Sequence, residues 1–92
     1  MTNENNKEYL LLKWGTLKDW KIYSKESYAI LTKYLETGVS MSCALQKDTL
    51  EQKKIICELI DCLDGKIQND WSGDFLTKQE AKDYVMKYGT NS

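Results

Sequence analysis

The chain contains no histidine, no arginine and no proline. Without histidine there is no Ser-His-Asp or Cys-His nucleophile pair and no imidazole base near neutral pH. Without arginine there is no arginine finger, no bidentate guanidinium clamp on phosphate and no arginine–guanine contact. All 13 positive side chains are lysine. Cysteine is scarce: Cys43, Cys57 and Cys62 form no Cys-x-x-Cys pair, so a zinc site would need a carboxylate as fourth ligand. Three thiols without a secretion signal fit a reducing compartment, and Cys57 and Cys62 are expected to be buried small hydrophobes. The longest apolar run is Tyr9-Leu10-Leu11-Leu12, far short of the roughly 20 residues of a membrane span. The polar start, Met1 to Asn6, does not resemble a signal peptide. The Gly-x-x-x-x-Gly-Lys phosphate loop is absent, and no carboxylate pair stands out as an acid/base couple. The expectation is a protein that is not an enzyme, needs no cofactor and works in a cytoplasm.

What is present is an ordinary globular balance in 92 residues, 41% hydrophobic and 29% charged. That predicts one compact domain over residues 8–89, with a flexible arm at 1–7 and a tail at 90–92. The net charge of −1 argues against a duplex nucleic acid partner. The charge is uneven, however. Lys7 to Lys33 carries six lysines against three acids, and Asp48 to Asp74 carries three lysines against seven acids. Such a dipolar chain could pair with a copy of itself, or simply present two solvated faces.

The alternation of Leu10, Leu12 and Trp14 predicts a strand, Gly15-Thr16 a turn, and Lys18 to Tyr23 a returning strand. Ser24 is placed to cap a helix carrying Tyr28, Leu31, Tyr34 and Leu35, which Gly38 ends. Ser40 could cap a short helix with Met41, Ala44 and Leu45 inward. Asp48-Thr49-Leu50-Glu51 reads as a capping box opening the main helix, with Ile55, Ile56, Leu59, Ile60, Cys62 and Leu63 on a wide apolar face and Gly65 as its stop. A face that wide predicts a central helix. Ile67, Asn69 and Trp71 alternate before a Ser72-Gly73 turn. Thr77 to Glu80 is a second capping box, opening a helix with Ala81, Tyr84, Val85 and Tyr88 that Gly89 ends. The predicted fold is α+β: three main helices and a short one, packed on a small antiparallel sheet of the N-terminal strand and the segment near Trp71.

Two segments invite a functional reading. Lys13 to Lys21 sets three lysines and two tryptophans around a Gly-Thr turn. Lys13, Thr16, Lys18 and Lys21 could hold a phosphate or an acidic partner, and Trp20 could stack on a base. The favoured reading is that the tryptophans are core anchors of a small domain and the lysines solubilise it, and Trp14 is expected to be such an anchor. Asn69, Asp70 and Trp71 could add acceptors and a ring beside that segment, or form only a polar turn. The loop around Gly73 imitates a calcium loop, but with Gly73 at position 6 the twelfth position falls on Gln79, so the bidentate carboxylate is out of register and no metal is expected.

Three stretches, Leu11 to Lys18, Asp48 to Asp61, and Asn69 to Gly73 continuing through Thr77 to Lys82, together resemble a family of small proteins encoded by bacteriophages and prophages. The resemblance implies a phage accessory protein in the bacterial cytoplasm. It would act by stoichiometric binding to a host macromolecule, foremost a protein, as an anti-defence inhibitor such as an anti-CRISPR. The alternatives are a protein that sequesters a small nucleotide signal and a virion structural or packaging accessory.

Overall fold

A computed structural model describes residues 7–38 and 48–88. The arm before Lys7, the short helix expected after Ser40, Cys43, the Gly89 stop and the tail lie outside the described residues. The order is β1 (Glu8–Lys13), β2 (Thr16–Lys21), α1 (Lys25–Glu36), α2 (Leu50–Cys62), β3 (Gly65–Asn69), β4 (Phe75–Leu76) and α3 (Lys78–Lys87). The fold is α+β. The sheet order is β2-β1-β3-β4, and β1 runs antiparallel to β2 but parallel to β3. The sheet is therefore mixed, where the sequence reading expected an antiparallel one. The helical return between β2 and β3 brings the chain back to the end where β1 began, and a parallel pair needs such a crossover.

The β1–β2 hairpin turns on two residues, Trp14 and Gly15, both at positive φ (54° and 77°). Two positive φ values are what a type I′ turn requires, and that turn suits the twist of a tight hairpin. Lys13 and Thr16 close the pairing, and Thr16 Oγ1 donates to the Lys13 carbonyl at 2.8 Å. A bulge between Leu11 and Leu12 leaves Lys18 unpaired and puts Leu17, rather than Lys18, opposite Leu12.

Alternation sends Leu10, Leu12, Leu17 and Ile67 to one face, where they are buried with Leu31 and Tyr34 of α1, Ile56, Leu59 and Ile60 of α2, and Ala81 and Val85 of α3. As predicted, α2 is central: it packs against both α1 and α3 and buries the most positions of any helix here. Its N-cap is Thr49, one residue later than read, with Gln52 completing the capping box. Asp48 is instead buried and accepts from the Tyr34 hydroxyl at 3.1 Å. Burial raises the Asp48 carboxyl and also the Tyr34 phenol, so the hydroxyl keeps its proton and donates. The helix ends at Cys62 without using Gly65, and Cys62 is exposed rather than buried, while Cys57 is half-buried. In α1 the inward stripe is Ser27, Leu31 and Tyr34, and Tyr28 and Leu35 face solvent. No helix among the described residues is long and apolar enough to cross a membrane.

Gly65 has a different task. It pairs with Glu8 across the parallel β1–β3 ladder, and a Cβ there would lie 1.8 Å from the Glu8 carbonyl oxygen. Glu8 itself is only 3% exposed. Its carboxylate accepts four hydrogen bonds: from the N–H groups of Tyr23 (3.0 Å) and Ser24 (2.7 Å), the Ser27 hydroxyl (3.0 Å) and the Asp64 N–H (3.0 Å). Burial alone would raise this carboxyl, but the backbone donors of Asp64, Ser24 and Tyr23 outweigh it and hold it at about 2. The charge sits at the N-terminus of α1, where the helix dipole favours an anion.

Candidate binding surface on the open sheet face

The strand pleat that buries Leu10 and Leu12 turns Tyr9, Leu11 and Lys13 to the other face. Cross-strand register adds Asp19 and Lys21 from β2, Lys66 and Gln68 from β3, and Phe75 from β4. None of the described elements covers this face. Two of its polar side chains are tied together, since Tyr9 Oη donates to Gln68 Oε1 (2.7 Å) and Gln68 Nε2 donates to the Gly73 carbonyl (3.0 Å).

The two hairpin tips meet at one end of the sheet. The Asp70 N–H donates to the Leu12 carbonyl at 2.7 Å, extending the β1–β3 ladder and bringing the β3–β4 turn beside the β1–β2 turn. The Trp14 and Trp71 rings lie 6.5 Å apart between centroids, tilted by 44°, with Lys13 Nζ 5.1 Å from the Trp14 ring. Trp14 is 40% exposed and Trp71 is 75% exposed. Trp14 is thus no core anchor. The type I′ turn projects it off the sheet, and the buried aromatic that the small core needs is Tyr34.

The tip rests on a firm base. A Cβ on Gly15 would approach Tyr88 Cβ to 2.7 Å, so the turn lies directly on the end of α3. That helix end is capped from inside by the buried Lys53, whose Nζ donates to the carbonyls of Val85 (2.9 Å) and Tyr88. The β3–β4 turn is equally settled: Asn69 Oδ1 accepts from the Trp71 N–H and Ser72 Oγ from the Asp74 N–H. These side-chain oxygens serve the turn itself. Among the described residues, no group of three or more Cys, Asp or Glu side chains is placed to hold a metal ion.

Of the residues singled out from the sequence, the structure gathers Lys13, Thr16, Asn69, Asp70 and Trp71 at the hairpin tips. It separates the others. Trp20 pairs with Leu10 and packs on the core, on the helix side of the sheet. Lys18 is exposed at the bulge, and Lys21 pairs with Tyr9 at the far end of the open face. Sequence reading missed Tyr9, Lys66 and Phe75, because only the register across three strands sets them side by side. No protein-family model, curated protein or solved structure matches the chain.

Proposed function

We propose that this chain is a non-enzymatic accessory protein of the phage type, acting by stoichiometric binding of a host protein through the Trp14–Trp71 tip. Inhibition of a bacterial defence component is the activity this reading assigns, and the bacterial cytoplasm is its setting. The observation that carries the reading is Trp14 itself. Type I′ positions favour Asn, Asp or Gly, and an L-residue in this region costs about 1–2 kcal/mol. A tryptophan held there and left half out of the core does not serve stability. Tryptophan is over-represented among residues that dominate protein interfaces, where its large rigid surface anchors a partner. The second ring, the flanking lysine and the rigid support from α3 make a preorganised patch.

The experiment is capture from host lysate with the wild-type protein, Trp14→Asn and Trp71→Ala, followed by reconstitution of the complex from purified components. The reading expects one partner at fixed stoichiometry, retained by the wild type and lost by both folded variants. Equal retention by both variants would refute it.

A further inference from the structure

The opposite end of the open face carries a second feature. In the β1–β2 register Lys21 stands opposite Tyr9, and in the β1–β3 register Lys66 stands opposite the same Tyr9. Two lysines therefore flank one aromatic ring in a single row across three strands. Lys7 precedes the row, and together with Asp64 and the bare backbone of Gly65 these residues line an open hollow of about 750 Å³. Glu8 also lines it, with its carboxylate turned to the helix side and held there by four donors, out of reach of the three ammonium groups. The ion pairs between described residues, Lys33–Glu58 and Lys82–Asp61, use none of the three lysines. Three lysines thus line the hollow with one carboxylate besides the engaged Glu8, that of Asp64, while Asp19 stands one row away on the same face, opposite Leu11, in a chain whose net charge is −1. Phe75 lies on the same face, 60% exposed, with Lys66 Nζ 5.3 Å from its ring centroid.

We propose that this hollow is a phosphate subsite for a nucleotide, free or within a single strand: Lys7, Lys21 and Lys66 hold the phosphate and Phe75 offers the base a stacking face. Ammonium groups on flexible stems suit a phosphate approached as a point charge, and stacking on an exposed ring tolerates any base. This site is separate from the tryptophan tip and does not depend on a protein partner there.

The test uses the full chain with three probes: a fluorescein-labelled ten-residue oligothymidylate read by anisotropy, and AMP and inorganic pyrophosphate read by calorimetry. The expected result is saturable binding of the oligonucleotide or of AMP that weakens as salt rises. Lys21→Ala and Lys66→Ala should each weaken it about fivefold or more, while Lys54→Ala, at an exposed position of α2, leaves it unchanged. Phe75→Ala should weaken the base-bearing probes and spare pyrophosphate. Binding of AMP identifies a free-nucleotide site, and binding of the oligonucleotide alone identifies a strand. No binding tighter than about 1 mM by either base-bearing probe, or wild-type affinity in both the Lys21 and Lys66 variants with unchanged thermal unfolding, overturns the proposal.

Discussion

The Glu8 carboxylate gives the most quantitative handle on the fold. Its pKa stands at about 2 against an ordinary 4.5, and each pH unit of difference is worth about 1.4 kcal/mol, so its ionised form stabilises the fold by roughly 3 kcal/mol at neutral pH. The sign follows from the depressed value. The contribution is complete above about pH 4.5, where the unfolded chain is also ionised, and is lost as pH falls towards 2. Glu8→Gln keeps the shape but turns an amide NH2 towards one of the two donor pairs, Tyr23 and Ser24 or Ser27 and Asp64. A buried donor facing a donor forfeits both hydrogen bonds, so the substitution should cost about 2–3 kcal/mol at pH 7. The assay is urea unfolding of wild type and Glu8→Gln at pH 7, 5, 3.5 and 2. The gap between the two proteins should be constant from pH 7 to 5 and shrink steadily below that, because acid neutralises only the wild-type group at this position. A gap below about 0.5 kcal/mol at pH 7, or one that stays constant down to pH 2, would refute the assignment of Glu8 as the ionised hub joining β1, α1 and the start of β3.

Four further outcomes follow from the packing. Trp14→Asn should raise stability by about 1 kcal/mol, measured by thermal unfolding, since Asn accepts positive φ at lower cost; a loss instead would mean that the ring contributes more packing than its exposure indicates. Gly65→Ala should destabilise by more than about 2 kcal/mol or prevent folding, because its Cβ would collide with backbone rather than a side chain that can move. Ile56→Ala and Ile60→Ala should each cost about 2–5 kcal/mol in urea unfolding, as expected for fully buried side chains of a central helix. Lys53→Met keeps the aliphatic stem but leaves the Val85 and Tyr88 carbonyls without their ammonium donor; stability should fall by about 1–3 kcal/mol, and amide exchange should quicken at the end of α3.

Much of this fold was legible from local chemistry. The Leu10–Leu12 alternation, the Ser24 cap, the Thr77–Glu80 capping box and the breadth of the α2 apolar face each follow from a few neighbouring residues. The errors came where two local solutions were equally good or where the deciding contact is distant. Asp48 and Thr49 are both good caps, and only the Tyr34 hydroxyl, 14 residues earlier, claims Asp48 for the core. Glycine after a helix reads as a stop, yet Gly65 is required by the backbone of Glu8, 57 positions away. Trp14 follows the strand alternation, but the positive φ that Gly15 shares with it turns its ring out of the core. The lysine hollow depends on parallel pairing of β1 with β3, which no local pattern encodes.

That parallel pairing also sets a timetable for synthesis. Leu10 emerges from the ribosome 57 residues ahead of its partner Ile67, a delay of about 3–11 s at ordinary elongation rates. In that interval β1 can pair only with β2, and the Leu10–Leu12 face waits with no helix layer complete. The edge of β1 that will receive β3 is an open template in the nascent chain, the kind of edge that recruits foreign strands. The Glu8 carboxylate can engage Tyr23, Ser24 and Ser27 at once but must wait for Asp64. It would hold the hairpin against the first helix as a provisional clasp until the other half of the sheet arrives.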